Sequence, residues 1–302
     1  MSSSEALIRI GELSRRLGVS TDRLRAWERR YQLLRPVRTS GGFRLYSRAD
    51  ELRVRAMQAY LAGGLSAAEA ARAVLTADAS AAAGEAAAVA HLRGDLTEAL
   101  TEFDAIRAHA VVDRLLAELS VDDAIRDVIL PLLHDVGERW VRAQVHVGHE
   151  HFASSLLQAR LLTLLRGHTS ASGPMALLAC APGELHTIGL ISFGISLRNR
   201  GWTITYLGAD TPIAILRRTA AELRPAVVVV SAAMSARFAT DVQDELRVLA
   251  GEMRVAVAGA GASRVLAERV GAELLDADPV TAADSISRAG ARAADRPAGL
   301  DE

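Results

Sequence analysis

The 302-residue chain is half hydrophobic and carries a net charge of −1, enough apolar material to build cores for two or three domains. No basic-then-apolar leader is expected, and no apolar run reaches the roughly 18 to 20 residues of a membrane span, so a membrane-spanning role is excluded. Cys180 is the only cysteine, which rules out an internal disulfide and points to the cytoplasm.

All 35 basic residues are arginine, and they are unevenly placed. Residues 1–75 hold 14 Arg against 7 acids, a net of +7, whereas residues 76–302 hold 21 Arg against 29 acids, a net of −8. Such a split predicts an N-terminal module that meets a polyanion, followed by a remainder that does not.

In chain order, IGELSRRLG closes a first short helix on Gly18, and Ser20 can cap the next, STDRLRAWERRYQL, with Leu24 and Trp27 facing a core. Two short helices joined by a tight turn form the helix-turn-helix pattern. In RPVRTSGGFRLYS, Gly41 and Gly42 separate two β-prone arms, a small wing. Ser47 with Asp50, and Ser66 with Glu69, have capping-box spacing and open two more helices. Residues 76–86 are small and polar and read as a linker or frayed helix. Residues 87–170 carry i, i+3, i+4 apolar spacing throughout and read as a four-helix bundle.

From residue 171 the texture changes. MALLAC, TITYLG, AVVVVS, RVAVAG and AELL alternate with amphipathic helices up to residue 290. Strands this apolar are buried on both faces, which predicts a parallel sheet wrapped by helices, a Rossmann-like domain. The expected fold class is multidomain α plus α/β, with a winged helix-turn-helix over 1–75 and a disordered tail over 291–302.

The chemistry concentrates in PGELHTIG, residues 182–189, which leaves the carboxyl end of the first apolar strand. Ligands of open parallel sheets bind at that rim. A lone histidine there is an ordinary surface residue, but His186 comes with two companions. Glu184 can fix one ring nitrogen and leave the other for a metal, and Gly189 removes a side chain where a bulky ligand must approach the backbone. His134, His146, His149 and His151 raise a zinc alternative, which no cysteine supports.

Glu184, His186 and Gly189 resemble the D/E-x-H-x-x-G signature of cobalamin-binding domains. The resemblance implies that His186 ligates cobalt from below, in place of the dimethylbenzimidazole tail. It also implies that Ser231, Gly259 and Gly261 line a narrow channel for that tail. Two departures stand out: the usual Ser-x-Leu is Ser231-Ala232-Ala233, and Ala260 splits the glycine pair.

In the bundle, Trp140 followed after nine residues by Glu150 and His151 resembles the CarH/LitR-type light-dependent repressors. There, by implication, Trp140 covers the adenosyl group of adenosylcobalamin, and Glu150 and His151 hydrogen-bond the ribose or the corrin edge. Well-known members carry a histidine directly after the tryptophan as a cobalt ligand after photolysis; here Val141 stands there, so that either His146 or His149 takes over or no such adduct forms.

The first 75 residues resemble the MerR-type winged helix-turn-helix. That resemblance implies operator DNA as partner, read by Arg23, Arg25, Arg29 and Arg30 on the second helix and by Arg38, Arg44 and Tyr46 of the wing. Residues 76–92 lack the heptads of a dimerisation coiled coil, so assembly falls to the effector part. The combined resemblance implies a non-enzymatic, cobalamin-dependent repressor, tetrameric with its cofactor and released by light. A cobalamin-carrying module of a methyltransferase or mutase, and a MerR-type regulator of another small molecule, are the competing readings.

Overall fold

The computed structural model describes residues 7–39, 42–141, 146–167 and 172–294, with backbone alone for 139–141 and 291–294. It divides into two compact units, Met1–Leu92 and Arg93–Glu302.

In the first unit, α1 (Ile10–Leu17) ends on Gly18 in the left-handed conformation, and Ser20 accepts from the Arg23 N–H at the start of α2 (Thr21–Tyr31). A two-residue strand, β1 (Ile8–Arg9), pairs with β3 (Arg44–Tyr46), which also pairs with β2 (Val37–Arg38). The wing is therefore three-stranded, and β1 is too short to register as a strand in sequence. The Ser47/Asp50 capping box opens α3 (Arg48–Ala62). A buried core of Leu13, Leu24, Trp27, Tyr46 and Met57 joins these pieces.

Two buried carboxylates organise the arginines of this unit. Asp50 accepts from the Arg35 N–H at 2.8 Å and from Arg53 at 2.6 Å, while Arg53 also reaches Asp78 at 3.2 Å. Glu51 gathers Arg55 at 2.8 Å, Arg48 at 3.1 Å and Arg16 at 3.8 Å. Its hydrogen bond from Arg55, more than any other influence, holds the Glu51 carboxyl below the ordinary value.

Of the two expectations for 76–86, linker or frayed helix, the structure has helix, part of the 35-residue α4 (Ala67–Thr101). Six alanines in eleven residues outweigh the small polar residues and Gly84. Residues 79–88 are exposed on every face, and the boundary between the two units falls inside this helix.

The second unit begins with the end of α4, then α5 (Ala105–Glu118), α6 (Val121–Asp123), α7 (Leu130–Val141) and α8 (Val147–Arg166), which form the bundle. A π-helical segment, Ala124–Ile129, joins α6 to α7. It ends just before Pro131, which has no N–H for the bond to the carbonyl four residues back, a sufficient cause for the local change of pitch.

The sheet runs β5-β4-β6-β7-β8, all parallel, from β4 (Met175–Cys180), β5 (Thr203–Gly208), β6 (Val227–Ser231), β7 (Val255–Ala258) and β8 (Glu273–Leu275). On one face lie α9 (Ile188–Asn199) and α13 (Pro279–Ala294), packed through Leu190, Phe193, Leu197 and Ile286. On the other lie α10 (Ile213–Leu223), α11 (Thr240–Glu252) and α12 (Arg264–Val270). Helix α13 continues to Ala294, so the expected tail is helical over 291–294, and 295–302 lie outside the described residues.

The bundle rests on α9. Ser196 donates to Asp122 at 2.8 Å, and Arg200 bridges Asp122 at 2.9 Å and Asp284 of α13 at 2.6 Å. Arg198 satisfies the last carbonyls of α8, including Leu164 and Leu165 at 2.8 and 2.9 Å.

Candidate functional site

Strand β4 is flanked by β5 on one side and β6 on the other; the chain leaves β4 for α9 on one face of the sheet and leaves β6 for α11 on the opposite face. The crevice between the carboxyl ends of β4 and β6 is thus the topological switch point where open sheets bind ligands. The loop 181–187 stands in that crevice, tied down by Ala181, whose N–H donates to the Ser231 carbonyl at 2.9 Å.

Glu184 is completely buried beneath this loop. One of its oxygens accepts from the His186 backbone N–H at 2.8 Å and from His186 Nδ1 at 2.6 Å. The other accepts from the Ala233 N–H at 2.8 Å. Burial, the largest influence, pushes the Glu184 carboxyl up, yet these hydrogen bonds outweigh it and hold the group below the ordinary carboxylate value.

With Glu184 ionised it can only accept, so Nδ1 carries the proton and the neutral imidazole has its lone pair on Nε2. The His186 side chain is 67% exposed, so that lone pair is accessible. The arrangement is that of a metal-ligating imidazole fixed by a carboxylate.

Around the imidazole the surface suits a broad, largely apolar ligand. Leu185, Leu207 and Met234 are exposed at the ends of the strands and in their loops. Gly189, in the first turn of α9, is exposed, and a Cβ added there would meet no atom within 4 Å. Packing within the protein therefore does not require this glycine. A corrin ring with a cobalt centre fits these features: one nitrogen donor, an apolar rim and an open approach.

Gly259 and Gly261 are tight against the protein's own backbone. A Cβ on Gly259 would lie 2.3 Å from the Ala232 carbonyl oxygen, and one on Gly261 would lie 2.5 Å from Met234 backbone. Gly259 has φ +86°, and the Gly261 N–H donates to Ala232 at 2.9 Å. These glycines admit the loop that follows β6. Ser231 sits at the same level, opposite Cys180 on one side and Ala258 on the other. Burial pushes the Cys180 thiol up to about 12, so it stays neutral.

Asp210, which the sequence reading did not single out, completes the loop's support. Its carboxylate accepts from the Gly183 N–H at 2.6 Å, and its own N–H donates to the Glu184 carbonyl at 3.0 Å. Its turn setting, GADTP, was legible, but a partner 27 residues away was not.

In the bundle, Glu150 and His151 pair with each other at 3.0 Å. His146 caps α8, its Nδ1 accepting from the Gly148 N–H at 3.2 Å, and its ring lies 4.0 Å from that of His149. Phe103, with φ 57°, packs on both. Nδ1 of His149 is buried without a hydrogen-bond partner among the described residues. The side chains of Trp140 and Val141 lie outside the described residues. His134 faces Glu138 at 3.9 Å instead, and no cluster of three or more His, Cys, Asp or Glu suited to a metal occurs among the described residues.

In the winged unit, Arg23, Arg25, Arg29, Arg30 and Arg38 are exposed. Tyr46 is a correction: it is fully buried, and its hydroxyl donates to Glu28 at 2.7 Å, so it cannot offer that hydroxyl to a phosphate. Arg44 is exposed but also held by Glu28, at 3.0 Å. Glu28 thereby fastens the wing to the second helix.

Comparison with known proteins agrees with both halves. Residues 8–76 match the MerR HTH family regulatory protein model, and residues 92–165 and 174–280 each match a B12 binding domain model. The structure is similar to that of the Methanosarcina barkeri monomethylamine corrinoid protein, with a TM-score of 0.55 at 20% identity, covering 64% of this chain and 96% of that one. Among the described residues, no helix is long and apolar enough to cross a membrane. The chain is 35% identical to the HTH-type transcriptional repressor CarA of Myxococcus xanthus, over 84% of this chain and 87% of that protein. It is 34% identical to CarH of the same organism, over 80% and 84%. With an arginine-bearing helix-turn-helix, a helical bundle and a histidine-carrying parallel sheet in that order, the chain belongs to the cobalamin-binding, MerR-family transcriptional regulators.

Proposed function

We propose that this chain is a cytoplasmic, non-enzymatic transcriptional repressor that uses adenosylcobalamin as its sensory cofactor. The observation that carries the reading is the Glu184–His186 pair at the switch point, with Nδ1 held and Nε2 free. His186 would hold the cobalt, with Glu184 fixing its tautomer and Gly189 leaving room for the corrin. Ser231, with Gly259 and Gly261 keeping the neighbouring loop close, bounds the channel for the nucleotide tail.

By the family resemblance, Trp140, Glu150 and His151 of the bundle would cover the adenosyl group. Either His146 or His149 would take over from the histidine that Val141 replaces, or that second ligation would not occur. The cofactor contributes a cobalt–carbon bond that light can cleave.

What the protein contributes is a contact spanning two layers. A ligand touched by both the bundle and the sheet domain stabilises the arrangement in which both reach it, and loss of the upper group removes that difference. The cofactor-bound form is a tetramer whose helix-turn-helix units bind operator DNA together, through Arg23, Arg25, Arg38 and Arg44.

Gel filtration combined with operator binding, dark and illuminated, with and without adenosylcobalamin, tests this reading. The expected result is a larger assembly and tight DNA binding only in the dark with cofactor. Assembly and affinity indifferent to both variables would remove the switch.

A further inference from the structure

Asp210 has a backbone that few residues other than glycine adopt, with φ 45°, and it is the only described residue of the β5–α10 loop, 209–212, with a positive φ. Aspartate enters that region more readily than most residues other than glycine, and its surroundings fix it there. Here two hydrogen bonds do so. The carboxylate accepts from the Gly183 N–H at 2.6 Å, and the Asp210 N–H donates to the Glu184 carbonyl at 3.0 Å. Next to it, the Thr211 N–H donates to the Cys180 carbonyl at 3.2 Å. The turn at Gly183, itself at φ +72°, is therefore gripped from both sides by one residue of another loop.

The position of Glu184 depends on this grip. Its side chain is fixed from the far side by the Ala233 N–H at 2.8 Å, and its backbone by Asp210. His186 follows two residues on and takes its orientation from the Glu184 carboxylate. We infer that Asp210 is a positioning residue for His186: it sets where the lone pair of Nε2 points, through the Gly183–Glu184 backbone, without touching the cofactor. The inference rests on His186 being the cobalt ligand.

Three variants separate the parts of the grip. Asp210→Asn keeps an acceptor oxygen and tolerates the left-handed backbone. Asp210→Gly keeps the backbone freedom but loses the acceptor. Asp210→Ala loses the acceptor and strains the backbone. The readout is electron paramagnetic resonance of bound cob(II)alamin in full-length protein labelled with ¹⁵N-histidine, which reports whether the axial nitrogen comes from the protein.

Wild type is expected to show a histidine nitrogen and His186→Ala none. Asp210→Gly is expected to lose at least half of the histidine-ligated signal, and Asp210→Asn to retain nearly all of it. Hydrogen exchange of the Gly183 amide in the cofactor-free protein is expected to quicken at least tenfold in Asp210→Gly. This measurement also serves should Asp210→Ala not fold. Should wild type and His186→Ala give the same signal, the ligand assignment fails. If those two differ while Asp210→Gly matches wild type in both readouts, the positioning role of Asp210 alone is overturned.

Discussion

The carboxylate of Glu184 meets His186 twice through one oxygen, at the backbone N–H and at Nδ1, while its other oxygen is held by the Ala233 N–H. A buried acid in this setting acts as a fixed acceptor, and the imidazole has one orientation available. Glu184→Gln replaces one acceptor oxygen by a donor, so at least one of the three bonds is lost. Corrinoid affinity is expected to fall about 10- to 100-fold, the usual effect of losing the outer partner of a metal-bound histidine. Titration of the cofactor-free variant by absorption measures it.

Asp122 and Arg200 tie the base of the bundle to the sheet domain, with Ser196 and Asp284 completing the set. Asp122→Ala leaves a partly buried guanidinium and a buried hydroxyl without this acceptor. The expected loss is about 2–3 kcal/mol of stability, below that of a fully buried pair because Asp284 still holds Arg200. Urea unfolding of the wild type and variant gives the difference.

Much of this architecture was legible because it depends on local rules. Gly18, Ser20 and the Ser47/Asp50 pair mark helix ends by their own chemistry, and AVVVVS is too apolar to be anything but a strand covered on both faces. His186 and Glu184 were legible because they lie two residues apart at a strand end. Asp210 was not, since its hydrogen-bond partners lie in another loop. Tyr46 was misplaced because a wing position by itself does not reveal the carboxylate of Glu28 behind it. Residues 76–86 stayed open between linker and helix because small residues signal a loop by composition while alanine favours helix by entropy.

Tyr46→Phe removes the hydroxyl donor to Glu28 and leaves that carboxylate to Arg44. The unit is expected to lose about 1 kcal/mol. Operator affinity is expected to fall less than in Arg25→Ala or Arg38→Ala. In those variants a lost phosphate contact also lowers the salt slope of log K by about 1. Fluorescence anisotropy at several salt concentrations separates the two classes.

Glu51 has a lowered folded-state pKa, first through its hydrogen bond from Arg55. A depressed acid contributes stability that is complete above its unfolded value, near 4.5, and is lost as pH falls through the lower folded value. Glu51→Gln lacks this contribution. The midpoint of thermal unfolding of the winged unit is therefore expected to lie further below wild type at neutral pH than in acid, the gap narrowing as pH falls below the unfolded value. Melting curves followed by circular dichroism across that range check the sign.

The most direct measurement is the absorption spectrum and uptake of adenosylcobalamin by wild type and by His186→Ala. The account predicts a wild-type spectrum of imidazole-coordinated cobalt, and a variant that takes up at least tenfold less cofactor and shows no protein nitrogen on the metal. Equal uptake with an unchanged spectrum would contradict it.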